Sequence, residues 1–162
     1  MSTPDSADAP RDPAHLAFAK RLNGEVWSLL EKSDRTPEDN ERMVHAAHAS
    51  CYHWLHAGTP VNHQRGEWLI ARVYTVLGLG EAALSHAERC VALTGQHPEL
   101  MADFDRAYAL EGLARAQALR GSVQIAEELK QQARAAGEQI ADLDDRRLFE
   151  GDLTAPGWHG LD

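Results

Sequence analysis

From Pro13 to Ile140 the chain is broken at short intervals by helix-starting prolines and helix-stopping glycines, and this rhythm limits its fold more than any other feature. Thr36 precedes Pro37, Glu38 and Asp39, which gives a capping side chain, a proline at the first helical position and two carboxylates at the positive end of the helix dipole. A helix follows to about His56, and "AGTP" stops it. Pro60 and Asn62 open the next, which runs to about Leu77, and Gly78 ends it. "GEAALSHAERCVAL" is a fourth helix, residues 99–119 behind Pro98 a fifth, and Ser122 to about Ile140 a sixth. Before all of these, Leu16, Phe18, Ala19, Leu22, Val26, Leu29 and Leu30 recur at helical spacing in a first helix from Ala14 to about Lys32. No stretch alternates with the period of a strand between turn residues. The pattern predicts an all-α fold of about six antiparallel helices, paired as hairpins that either stack into a superhelix or close into a bundle.

A length of 162 residues suffices for one core without disulfide or metal staples. Alanine is frequent and aromatic residues make up only 6%, which favours closely packed helices. Residues 1–13 read as a disordered tail, 14–141 as a single helical domain, and 142–162 as an acidic C-terminal segment. Within that last segment Phe149, Leu153 and Trp158 are too apolar for a purely disordered tail, and Trp158 is expected to dock on the body or on a partner.

The net charge of −9 is concentrated in the two ends, and no basic stripe is present. Nucleic acid is therefore not an expected partner, because phosphate neutralisation supplies most of that affinity. Cys51 and Cys90 lie far apart with no CxxC, no apolar leader is visible, and no apolar run approaches the roughly 20 residues that span a bilayer. A cytoplasmic location away from membranes is the expectation.

"EWLIARVYTVLGLGEAALSHAERC" places Ile70, Ala71 and Tyr74 as a large, a small and an aromatic residue, Gly78 at the turn, and Ala83, Ala87 and Cys90 where a second helix touches the first. In "LEGLARAQALRGSVQIAEELKQQA", Leu110, Leu113, Ala114, Gly121, Ala126 and Ala133 occupy equivalent places, and the two turn glycines stand 43 residues apart. Over about residues 60–140 the chain resembles the tetratricopeptide-repeat family. Trp68 stands one place later than that pattern's opening tryptophan, and the closing proline is absent. The resemblance implies stacked helical hairpins and a non-catalytic module that binds a peptide, a partner protein or a second copy of itself as a homodimer.

"HAAHASCYHWLHAGTPVNHQRGEW" holds five of the nine histidines. On a helical wheel His45, His48, Tyr52 and His56 form one stripe, while Met43, Val44, Ala47, Cys51, Trp54 and Leu55 fill the opposite, core-facing arc. On the third helix Arg65, Trp68, Arg72 and Thr75 share a side, a combination suited to carboxylate or aromatic recognition. An inter-helix salt bridge from these arginines to Glu41, Asp103 or Asp105, with Trp68 as filler, is the plainer reading of the same residues. The expected recognition surface is a polar, aromatic groove of the second and third helices built from His48, Tyr52, Asn62, Arg65, Trp68 and Arg72. Asp103, Asp105, Tyr108 and Glu111 are further candidates for lining it.

No cofactor is required by this reading. The alternative is a small metal-dependent enzyme or metal-binding protein, in which His45 and His48 join His86 and Cys90 around zinc or another transition metal. No serine or cysteine sits in a recognisable nucleophile turn, so no catalytic residue is assigned.

Overall fold

The computed structural model describes residues 12–161, and the tail expected at 1–13 lies outside them apart from Asp12 and Pro13. These two start the first helix, where the Asp12 carboxylate accepts the Ala14 N–H at 2.8 Å. The described residues form seven α-helices and no strand: α1 Pro13–Glu31, α2 Pro37–Ala57, α3 Pro60–Val76, α4 Gly80–Gln96, α5 Asp103–Leu119, α6 Val123–Gly137 and α7 Leu143–Thr154. The fold is all-α, with one helix more than the sequence pattern predicts.

The differences have local causes. Pro98 opens a single 3-10 turn, Pro98–Leu100, and not the fifth helix. That helix begins at Asp103, where the Asp105 side chain accepts the Ala102 N–H at 2.9 Å. The segment after Asp142 is a full helix, because the Asp142 carboxylate accepts from both Asp144 N–H and Asp145 N–H.

The chain packs as three antiparallel hairpins, α1 with α2, α3 with α4 and α5 with α6. Successive hairpins touch through α2 and α3 and through α4 and α5; α3 also meets α5, and α7 lies on α5 and α6. Two of the hairpin turns are built alike. Gly78 and Gly121 adopt φ of 74° and 80°, a region that costs a residue with a Cβ. In the first turn Leu79 N–H bonds Tyr74 C=O and Gly78 N–H bonds Thr75 C=O; in the second Ser122 N–H bonds Gln117 C=O and Gly121 N–H bonds Ala118 C=O. Both are Schellman closures, and every group in one has its counterpart 43 positions on in the other.

The small residues expected at the helix contacts are buried: Ala71, Ala83, Ala87, Cys90, Ala114, Ala126 and Ala133 are all at most 1% exposed. Ala71, Ala83, Ala87 and Ala116 form one cluster, so α3, α4 and α5 approach closely through methyl groups. A larger cluster joins α1, α2 and α3 around Val26, Met43, Ile70 and Val73. A third joins α5 and α6 to Phe149, Leu153 and Trp158, so the boundary drawn at 141 falls inside a shared core.

Trp158 docks on the body and is 2% exposed. Its ring lies between the Arg115 guanidinium at 4.2 Å and the Lys130 ammonium at 4.1 Å, and its indole N–H donates to Leu153 C=O. Arg115 also donates to the carbonyls of Asp152, Ala155, Pro156 and Gly157. One buried guanidinium thus fastens the end of α7 and the turn after it.

Candidate functional site

The odd-numbered helices share a cleft of about 450 Å³. α1 contributes Asn23 and Trp27, α3 contributes Gln64, Arg65, Trp68 and Leu69, α5 contributes Phe104, Asp105 and Tyr108, and α7 contributes Leu148 and Asp152. A volume of this size with mostly apolar walls and a few convergent polar groups is the usual form of a ligand site.

Aromatic rings make the walls. Trp27 stacks on Trp68 with centroids 5.9 Å apart, and Trp68 meets Tyr108 edge-on at 5.6 Å. The Trp68 indole N–H donates to Tyr108 C=O at 3.1 Å, which fixes the ring across the gap between two hairpins. Trp27 is 41% exposed, an unusual state for a tryptophan with no core role.

The polar groups are mostly engaged with each other. Arg65 grips Asp105 through two bonds, Nε to Oδ1 at 2.8 Å and an η-nitrogen to Oδ2 at 3.0 Å, and its guanidinium also lies over Phe104 at 5.0 Å. The ion-pair reading of Arg65 is therefore the one observed, with Asp105 as partner. Tyr108 donates its hydroxyl to Asp152 at 2.7 Å. Burial, followed by that bond to Asp152, pushes the Tyr108 hydroxyl well above its ordinary range.

Next to Tyr108 on α5, Glu111 is buried and pairs with Arg115, with Arg72 3.8 Å away. Burial raises the Glu111 carboxyl, while the two guanidinium groups pull it back down. Two buried acceptors among the described residues have no hydrogen-bond partner, Glu111 Oε2 and Gln64 Oε1.

The recognition residues expected from sequence do not form one groove. Arg65 and Trp68 are in the cleft, and Arg72 stands beside it through Glu111. Asn62 instead caps α3, accepting from Thr59 N–H at 2.9 Å. His48 bonds the Tyr74 hydroxyl at 2.8 Å and meets His86 edge-on at 5.2 Å, while His86 Nδ1 lies 2.6 Å from Glu67. Tyr52 belongs to a cluster at the start of α1 and the end of α2: the His53 and His56 rings lie 5.7 and 4.8 Å from its own, and 4.9 and 4.3 Å from that of His15.

The inward face of α2 is shifted to one side of expectation: Met43, Ala47 and Cys51 are buried as expected, Ala46 and Ser50 join them, with Ser50 Oγ donating to Ala19 C=O on α1, and Leu55 is 56% exposed. On α3, Thr75 is buried and donates to Ala71 C=O, while Val76 faces out.

The four alternative metal ligands are not one set. Among the described residues no three His, Cys, Asp or Glu side chains stand where they could share an ion. His48 and His86 meet, but His45 is exposed beside Glu41, and Cys90 is buried at the α4 contact with its thiol pushed up to about 12 by burial first and by Asp105 and Glu67 second.

Sequence reasoning missed Asn23, Trp27, Leu69, Phe104, Leu148 and Asp152 as cleft residues. Trp27 carried a signal, since it stands beside the apolar stripe of α1 and not on it. Leu148 carried none that a single chain reveals. No family model, curated protein or solved structure matches the chain. Among the described residues no helix is long and apolar enough to cross a membrane.

Proposed function

We propose that this chain is a tetratricopeptide-like, non-catalytic module that binds an extended peptide of a partner protein in the cleft between α1, α3, α5 and α7. The observation that carries the reading is the origin of the cleft: each hairpin and the final helix contribute side chains to one aromatic surface. Stacked hairpins create such surfaces because equivalent helices fall on the same side of the array. The shared turn geometry at Gly78 and Gly121 supports the repeat reading. Two free, buried thiols fit a reducing cytoplasm, where we place the module.

The test is selection of a random twelve-residue peptide library on the immobilised protein. Recovered peptides are expected to bind the native protein and to lose about ten-fold or more with Trp68→Ala or Trp27→Ala, the size of effect typical of a central aromatic anchor. Trp27→Ala removes a half-exposed ring and leaves the core intact, so it separates lost recognition from lost folding. Binding unaffected by either substitution contradicts the reading.

The metal-binding alternative rests on the His48 and His86 pair alone, with Glu67 orienting His86 from behind. Elemental analysis of untagged protein beside a His48→Ala variant decides it. Stoichiometric metal lost in the variant would support that alternative.

A further inference from the structure

The cleft offers a ligand acceptors and aromatic faces but few free donors. Three of its donor groups are committed internally: Trp68 N–H to Tyr108 C=O, the Tyr108 hydroxyl to Asp152, and the Arg65 fork to both oxygens of Asp105. Asp105 is thereby neutralised. Asp152 is not, because its carboxylate makes no ion pair among the described residues; one oxygen accepts from Tyr108, and the other makes no hydrogen bond there.

Gln64 supplies the second observation. It is 1% exposed, and its amide orientation is fixed because its nitrogen donates to Thr94 Oγ1 at 3.0 Å and to the Asp105 carbonyl at 3.4 Å. Its Oε1 is a buried acceptor without a donor in a residue of the cleft wall; it is closed to solvent, so a ligand N–H reaches it only when the side chain moves toward the cleft. An unsatisfied buried acceptor costs free energy that an incoming N–H group removes. Trp27, Trp68 and Tyr108 present ring faces and edges beside these acceptors, and a cation over an aromatic face is favoured by the ring quadrupole.

We infer that the cleft takes a basic side chain, the guanidinium or ammonium of an arginine or lysine in a partner peptide, seated against Trp27 and Trp68 and directed to Asp152 and Gln64. This rests on the cleft being the binding site. Charge complementarity supports the occupant, since α7, which brings Asp152, carries four carboxylates against Arg146 and Arg147, and Asp152 is not paired with either arginine.

The experiment uses four capped pentapeptides, Ac-Ala-Ala-X-Ala-Ala-NH2 with X as Arg, Lys, Glu or Leu, each titrated into nitrogen-15-labelled full-length protein while the indole N–H resonances are followed. The Arg and Lys peptides are expected to shift the Trp27 and Trp68 resonances saturably, with affinity about ten-fold above the Glu and Leu peptides, a margin of about 1.4 kcal/mol. Asp152→Asn keeps an acceptor for Tyr108 and removes the charge, and Gln64→Leu removes the orphan acceptor; both are expected to erase most of that margin. Raised salt is expected to weaken binding to native protein and to leave the Asp152→Asn variant less affected. Shifts of the same two tryptophans by the Glu or Leu peptide, as strong as by Arg, would overturn this inference while sparing the groove. Silence of both resonances with all four peptides would overturn the inference and count against the groove as well.

Discussion

At the scale of single residues, burial sets the chemistry of the two thiols and of His48. The Cys51 thiol is pushed up to about 11, by burial first and by the Glu67 charge second, and Cys90 goes further. Both thiols should resist iodoacetamide at pH 8 in the folded protein and react only on unfolding; fast labelling of folded protein would contradict their placement. Both folded values lie above the ordinary 9.0, so the unfolded chain ionises first, and the contribution of these thiols to stability is lost as pH rises from about 9 toward 12. His48 has the opposite sense. Burial, then the neighbouring His86, lowers it below its usual 6.5. The unfolded state therefore takes up a proton first, and stability present above about pH 6.5 is lost as pH falls below it. His48→Gln should reduce the fall in Tm between pH 7.5 and 5.5, and an unchanged fall would remove His48 from that account.

At the scale of elements, the helices announced by proline, threonine and glycine were legible, and those depending on distant contacts were not. α2 and α3 follow directly from Thr36, Pro37, Pro60 and Gly78. α7 lies within what the sequence marks only as an acidic segment, because its helical signal is thin: Phe149 and Leu153 alone are buried, and their partners on α5 and α6 are not readable from the segment itself. The contact is tight at Gly137, where an added Cβ would run into the Phe149 ring. Gly137→Ala is expected to cost about 1–3 kcal/mol through overpacking and to expose α7 to hydrogen exchange. Gly24→Ala in α1, with nothing within 4 Å, is expected to be neutral or stabilising by up to about 1 kcal/mol. Equal Tm shifts in the two variants would mean that α7 is not held as described. Arg115→Met removes the donors that hold the 155–157 carbonyls and leaves Glu111 buried without its nearest partner, a loss of about 3–5 kcal/mol. A red shift of Trp158 emission should accompany it; native emission at unchanged Tm would contradict the role given to Arg115.

At the scale of the whole molecule, the composition of the cleft was half legible and its assembly was not. Arg65 and Trp68 stood out as an arginine beside a tryptophan, and Asp105 and Tyr108 as polar residues at a helix start. Their partnerships span 40 residues, from one hairpin to the next, and depend on how α3 settles against α5. Sequence periodicity gives the face of a helix but not which neighbour covers it, so the expected groove falls on α2 and α3, whereas the cleft in the structure is lined by α1, α3, α5 and α7. The four tryptophans provide an internal control for the central claim, that this cleft is where a partner binds. Trp27 and Trp68 line it, Trp54 lies outside it near the end of α2, and Trp158 is sealed in the core of the last three helices. The decisive measurement is fluorine NMR of protein labelled with 5-fluorotryptophan, titrated with a peptide recovered from the library selection. The account predicts that the Trp27 and Trp68 resonances move together and saturate while Trp54 and Trp158 stay fixed; movement of Trp54 or Trp158 with Trp27 and Trp68 unchanged would contradict it.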